Sequence, residues 1–352
     1  MKNLIVPIAG KSSRFPNTRP KWMLTHPKSN LFMVLESIKG INLEFFDNIY
    51  FVALKDHQTK FKFEQGFNEE LKDLGLSNKS KLIYLNKTTK SQSETVYEAI
   101  KKEQIQGFIM VKDSDNYFKC NIFDTNNQVC YYDLNNTGNI NPSNKSYLKI
   151  DENNVISNIV EKQVISSTFS IGGYCFNSTK DFIDSFEKME DIEDECYISN
   201  IIFDLILKNK VFYGNSCSEY KDWGTLEDWN KYKSQYNTLF VDLDGTLVEN
   251  TSSKFPPYIG NGKPLKNNIK WLQELHAKGQ IEIIITTSRS KKYKDVTLKE
   301  LKEKGIPYNE LIMGLSHSKR IIINDFASSN PYPSCGAINI SRNIDNLNDF
   351  TI

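Results

Sequence analysis

The sequence predicts an α/β protein built from two domains, residues 1–235 and 236–352. Three observations predict it. Short apolar runs at residues 4–8, 48–54 and 108–111 read as buried strands, the first and third of them ending in polar, charged loops. In the last third, strand-length apolar runs alternate with helical stretches, the order that builds a parallel sheet with helices on both faces. Between the two parts stand residues 238–250, TLFVDLDGTLVEN, where a new apolar run ends in two carboxylates. At 352 residues the chain is long enough for two hydrophobic cores.

The first strand runs into AGKSSRFPNTRPKWML. Gly10 permits a tight turn. Ala9, Lys11, Ser12 and Ser13 complete a small loop whose backbone N–H groups can cradle phosphate. Arg14 and Lys21 add two cations. The spacing of a P-loop is absent, as is the G-x-G-x-x-G dinucleotide fingerprint. Residues 91–100 offer Gln92, Ser93 and Thr95 as polar groups, and the strand at 108–111 leads to Asp113 and Asp115. Gly172 and Gly173 stand where backbone can approach a bulky ligand. Residues 229–240, WNKYKSQYNTLF, lack a Gly/Ser linker, and their aromatics predict a packed helical joint.

In the second domain Asp242 and Asp244 are two residues apart, so a strand points both carboxylates into one cleft. Such a pair can hold a divalent cation, and one carboxylate can attack phosphorus while the other handles the proton. Residues 249–264 read as a loop. Residues 264–279 read as a helix opened by Pro264 and closed by Gly279, with Leu265, Ile269, Leu272 and Leu275 as its apolar stripe. Residues 281–289 are a buried strand ending in Thr286, Thr287, Ser288 and Arg289, and a charged helix then ends at Gly305. Residues 318–326 supply Lys319, a short buried strand, and then Asn324 and Asp325. In an open parallel sheet the active groups lie at the C-terminal ends of the strands.

Composition excludes several classes. A charged fraction of 25% and a hydrophobic fraction of 39% describe a soluble globular protein. The net charge of +1 draws the chain neither to nucleic acid nor to an acidic membrane, and no apolar run is long enough for membrane insertion. The opening residues do not read as a signal peptide. Six Cys without C-x-x-C spacing and four scattered His point to reduced thiols in a cytoplasmic protein.

The first domain resembles the nucleotidylyltransferases that make activated sugars and activated choline phosphate. Their loop, Gly-x-Gly-[Ser/Thr]-Arg followed by Pro-Lys, is matched by residues 10–14 and Pro20-Lys21. Ser12 replaces the second Gly, and Trp22 stands where a Pro often follows the Lys. The resemblance implies a Rossmann-like, GT-A-like mixed sheet. It implies nucleotide binding by Ala9, Gly10, Lys11, Ser12, Ser13, Gln92, Ser93 and Thr95, and catalysis by Arg14 and Lys21. Glu161, Lys162 and Gly173 would contact the acceptor. Mg²⁺ would be held by Asp222 with Asp113 or, second in preference, Asp115.

The second domain resembles the haloacid dehalogenase superfamily of phosphohydrolases, whose four motifs occur in order. The resemblance implies a Rossmann-like fold without a large cap, since only 44 residues separate Asp242 from Thr286. Asp242 would be the nucleophile, Asp244 the general acid/base and Mg²⁺ ligand, Thr287 (or Thr286) and Lys319 the phosphoryl ligands, and Asp325 a further metal ligand beside Asp242. Asn324 replaces an acid that many relatives carry.

Together these readings imply a bifunctional enzyme in capsule or surface-polysaccharide precursor synthesis. One half moves a nucleotidyl group from CTP, or from UTP or dTTP, to a phosphorylated small molecule. The other hydrolyses a phosphate monoester. The alternative is a regulatory or scaffold protein with one catalytically dead domain, motivated by Ser12 and Asn324. Oligomeric state has no signal in the sequence.

Overall fold

A computed structural model describes residues 1–10, 12, 14–15, 19–137, 141–190, 195–325 and 335–350. The chain divides into two compact units, Met1–Trp229 and Asn230–Ile352. The division falls inside a helix, where the sequence predicts a helical joint.

The first unit runs β1 (Lys2–Pro7), α1 (Met33–Ile38), β2 (Asn48–Leu54), α2 (Lys55–Phe61), α3 (Glu64–Asp73), β3 (Ser80–Leu85), α4 (Gln92–Glu103) and β4 (Phe108–Lys112). It continues through β5 (Asn116–Lys119), β6 (Gln128–Asp133), β7 (Ser146–Ile150), β8 (Ile156–Glu161), β9 (Thr168–Phe176), α5 (Thr179–Glu190), α6 (Ile198–Leu207), β10 (Tyr213–Ser216) and β11 (Ser218–Asp222). The main sheet has the order β10-β6-β9-β4-β1-β2-β3, with β7 and β8 attached at β9. β3, β2, β1 and β4 are parallel, whereas β9 is antiparallel to both β4 and β6, so the sheet is mixed.

The period-2 alternation of the strands sorts the core into two layers. Leu4, Val6, Phe51, Phe108 and Met110 pack on one face, while Ile5, Val52, Ile109 and Val111 pack on the other. Both faces are covered, which is why these strands read as continuous apolar runs. The chain enters β1 in the middle of the sheet and later returns beside it as β4. The loops leaving β1 and β4 therefore flank the crevice where the strand order reverses, the usual ligand position in an open α/β sheet. β5 and β11 form a separate antiparallel ribbon that pairs Asn116 with Asp222.

Helix α7 (Leu226–Lys233) leads into the second unit, which comprises β12 (Asn237–Asp242), α8 (Lys266–Ala277), β13 (Ile281–Thr287), α9 (Lys294–Glu303) and β14 (Glu310–Met313). Its three strands are parallel in the order β12-β13-β14. Val241, Ile283 and Ile285 pack with Ile269 and Leu272 of α8 and Leu301 of α9, so both helices cover one face. The opposite face leaves Phe240 and Ile312 exposed. Two expectations are corrected here. Among the described residues the sheet is covered by helices on one face rather than two, and residues 318–325 form no strand. Ile321, Ile322 and Ile323 are 72%, 52% and 93% exposed. A β-branched triplet takes strand form only when a neighbouring edge pairs with it, and no described strand does.

Among the described residues no helix is long and apolar enough to cross a membrane. Phe51 is fully buried between Phe67 and its neighbours, with the two rings edge-on at 5.0 Å. Phe51→Ala is expected to cost the first unit about 3–5 kcal/mol, read by urea denaturation.

Candidate active site

The loops after β1 and β4 and the start of α4 line a polar cleft of about 420 Å³. Gly10, Ser12, Arg14, Lys21, Gln92, Thr95, Asp113 and Asp115 all face it. Ser12 adopts φ +50, the left-handed region that glycine occupies without penalty. Its hydroxyl offsets that cost by accepting a hydrogen bond from the Lys21 backbone N–H at 3.0 Å, which ties the loop to the lysine it serves. Lys11 and Ser13 lie outside the described residues. Ala9 is buried at the end of β1.

The two aspartates after β4 have different partners. Asp115 pairs with the Lys21 ammonium and lies 3.7 Å from Arg14. Asp113 accepts from the Gln92 amide. Burial alone would raise both carboxyls. Lys21, Arg14 and Lys145 overcome it at Asp115 and hold that group well below the usual carboxylate range. At Asp113 burial and the neighbouring Asp115 charge prevail, so its carboxyl is raised. Gly172 (φ +79) makes room for Asp113, since a Cβ there would sit 2.2 Å from its Oδ2.

Asp222 reaches the same place from β11. Its carboxylate pairs with Lys145 and accepts from the Gly224 N–H at 2.9 Å. A Cβ on Gly224 would stand 3.0 Å from Asp222 Oδ1, 3.6 Å from Asp115 Oδ2 and 3.6 Å from Arg14 Nη1. Asp115, Asp222 and Arg14 thus approach one point beside Gly224.

The other predicted residues have the following partners. Ser93 is fully buried and donates to the Cys196 carbonyl. Glu161 accepts from Ser146 and, at 2.7 Å, from Ser199. Lys162 donates to the Tyr197 hydroxyl at 2.5 Å and lies over its ring. Gly173 faces the core, where a Cβ would meet Cys130 and Phe118 at 2.8 Å. Trp22 is a core residue, edge-on to Phe63 at 4.7 Å, although it also borders the cleft. Sequence reasoning missed Lys145, which belongs to no motif and lies 77 residues from its partner.

In the second unit Asp244 is held by a buried arginine. Arg289 Nε donates to Asp244 Oδ2 at 2.8 Å and Nη2 to Oδ1 at 2.7 Å, a bidentate pair. Its Nη1 donates to Glu300 at 2.6 Å. Thr251 and Thr287 also donate to Asp244, at 2.6 and 3.2 Å. Asp242 is exposed and shares its register position with Thr286. Although the residue is open to solvent, the protein around it still desolvates its carboxyl, and this with the Asp244 charge raises it, against Arg320 and Arg342. Lys319 and Asp325 stand in the exposed irregular segment before residue 326. Asn268 fixes the Asp-x-Asp-Gly-Thr loop from beneath, donating to the Thr246 and Ile344 carbonyls at 2.7 and 2.9 Å.

Two expectations follow from this electrostatics. A carboxyl depressed in the folded state adds stability that is complete above its unfolded value, near 3.8, and is lost as pH falls toward its folded value. The stability gap between wild type and Asp115→Asn should therefore narrow between about pH 5 and pH 3 in urea denaturation. Arg289→Ala strands two carboxylates and should cost about 3–5 kcal/mol, with Arg289→Lys restoring little because an ammonium cannot make the fork.

No family model and no curated protein matches the sequence. Solved structures do resemble it. A nucleoside-diphosphate-sugar pyrophosphorylase from Vibrio cholerae RC9 aligns at TM-score 0.55 and 22% identity, over 66% of this chain and 99% of that one. The inositol-1-phosphate CTP transferase from T. maritima aligns at 0.52 and 12%, over 66% and 95%. A UDP-glucose pyrophosphorylase complexed with UDP-glucose aligns at 0.51 and 15%, over 66% and 97%. The aligned share is about that of the first unit, 229 of 352 residues. The chain thus carries the mixed α/β fold of these nucleotidyltransferase structures.

Proposed function

We propose that the first unit transfers a nucleotidyl group from a nucleoside triphosphate to a phosphorylated sugar or polyol, releasing pyrophosphate. The observation that carries this reading is the gathering of Asp115, Arg14 and Lys21 in one polar cleft at the β1/β4 crevice, with Asp222 and its partner Lys145 close beside Asp115. An acceptor phosphate oxygen attacks the α-phosphorus as its bond to pyrophosphate breaks. The negative charge that builds on the phosphates needs fixed cations and N–H donors. Arg14 and Lys21 supply the cations, and the backbone of Gly10 and Ser12 supplies N–H donors. The donor set suits Mg²⁺, because two carboxylates with one held firmly ionised are the oxygen ligands this ion takes. Asp115 and Asp222 would hold it, and when bound it would neutralise phosphate charge. CTP is our expected nucleotide, with UTP and dTTP as alternatives. The three relatives named above differ in the nucleotide and the acceptor that their names mention. Work in the cytoplasm, on precursors of surface polysaccharide, fits such a reaction.

For the second unit we propose hydrolysis of a phosphate monoester through an aspartyl-phosphate on Asp242. Its substrate would differ from the monoester used by the first unit, since the enzyme would otherwise destroy its own acceptor. One observation favours a second reading. Both Asp244 oxygens are occupied by Arg289, so the proton-handling carboxylate is not free in this conformation. On that reading the unit is catalytically silent and serves a regulatory or scaffold role.

Pyrophosphate release from CTP, UTP, dTTP, ATP and GTP, with Mg²⁺ and a panel of phosphocholine, glycerol phosphate and sugar 1-phosphates, tests the first reaction. We expect one pairing to react and Lys21→Ala to lower its rate at least about a hundredfold. Nucleotide binding without turnover would point to an acceptor outside the panel, and no binding would sink the proposal. Asp242→Asn should abolish phosphate release and spare pyrophosphate release. A wild type without phosphatase activity across phosphate monoesters would establish the silent reading.

A further inference from the structure

Three thiols converge inside the first unit. Cys120 follows β5, Cys130 lies in β6, and Cys217 sits between β10 and β11. All three are buried, and their Sγ atoms lie within 4.8 Å of one another. Cys120 and Cys130 are 3.8 Å apart, sulfur to sulfur. Three points mutually within 4.8 Å share a centre no more than about 2.8 Å from each, close to a Zn–S bond of about 2.3 Å. Two sulfurs on one tetrahedral ion with that bond length stand about 3.8 Å apart, the spacing already present between Cys120 and Cys130.

Charge points the same way. Three buried thiolates alone are costly in an apolar core. The Lys112 ammonium is fully buried beside them and within reach of the charges of Cys130 and Cys217. Three thiolates and one dication leave a single negative charge, which the Lys112 ammonium, shared with Asp113 and Asp115, offsets in part, whereas a monovalent ion would leave two. We propose that Cys120, Cys130 and Cys217 form a structural site for one thiophilic dication of the Zn²⁺ class. Binding replaces three S–H protons, released to solvent, with three metal–sulfur bonds.

The site's place gives it a purpose. Cys120 and Cys217 adjoin the Lys119–Ser218 end of the β5–β11 ribbon, and the Asn116–Asp222 pair closes the other end. An ion here ties β5, β6 and the β10–β11 junction together about 13 Å along the ribbon from the aspartates. It stiffens the base of the element that presents Asp115 and Asp222 without touching the cleft. This role is independent of which reaction the cleft performs.

The test is metal retention by the full-length protein. Reduced protein is incubated with Zn²⁺, or with Cd²⁺ for its thiolate charge-transfer absorbance, and desalted, and bound metal is counted by mass spectrometry. We expect one ion per chain, a higher melting temperature with metal, and at least a tenfold loss of retention in Cys130→Ser and Cys217→Ser. Cys335→Ser, at an exposed thiol, should retain the ion in full. Alkylation of the wild type with and without metal guards against misfolded variants, and three thiols should gain protection when metal is present. No retention by wild type, retention that survives Cys130→Ser, or alkylation indifferent to metal would each overturn the proposal and leave the cluster as packed, reduced thiols.

Discussion

The first unit depends on one buried ammonium. Lys112, the last residue of β4, donates to the Asp113 carbonyl at 2.7 Å, the Asn116 carbonyl at 3.0 Å and the Asn116 side chain at 2.6 Å, with the Phe118 ring 4.5 Å away. Burial lowers its own ionisation to about 8, yet the three acceptors take up its donors. The turn it grips carries both Asp113 and Asp115. The cleft is thus built on a balance of enclosed charges, with lysines set under and beside carboxylates. Such an arrangement is stable only while every member keeps its partner.

That balance explains why the two aspartates behave differently although they lie two residues apart on one turn. Asp115 has Lys21, Arg14 and a distant Lys145, while Asp113 has an amide and a like-charged neighbour. A pair of carboxyls pushed in opposite directions by their surroundings is a common mark of a working site. Ser12 contributes in the same sense. Its left-handed backbone and its bond to the Lys21 N–H fix the lysine's approach before any ligand arrives.

Much of this was legible in the sequence, and the failures have physical causes. The loop after β1, the aspartates after β4 and Asp222 were readable because short motifs put charge at strand ends. Composition does not say which side a residue of a helix or strand faces, and so did not foretell that Ser93 and Gly173 are buried while Glu161 and Lys162 bond Ser199 and Tyr197. Gly172 faces Asp113, whereas Gly173 faces Cys130. Lys145 left no trace, since its pairing arises from strands far apart in the chain. In the second unit Arg289 stood in plain view, but its grip on Asp244 is a matter of geometry. The strand expected at residues 318–325 failed because apolar, β-branched composition says nothing about whether an edge is available to receive it.

The exposed isoleucines bear on how the protein behaves in concentrated solution. β12 bonds only to β13, so its outer edge is unpaired among the described strands. The same chain carries Ile321, Ile322 and Ile323, a strand-prone segment without a strand to join. One molecule therefore offers a template and another the segment that fits it, the arrangement from which sheet-like aggregates grow. Lys319, Arg320 and Asp325 bracket the triplet, charges of the kind that oppose such pairing.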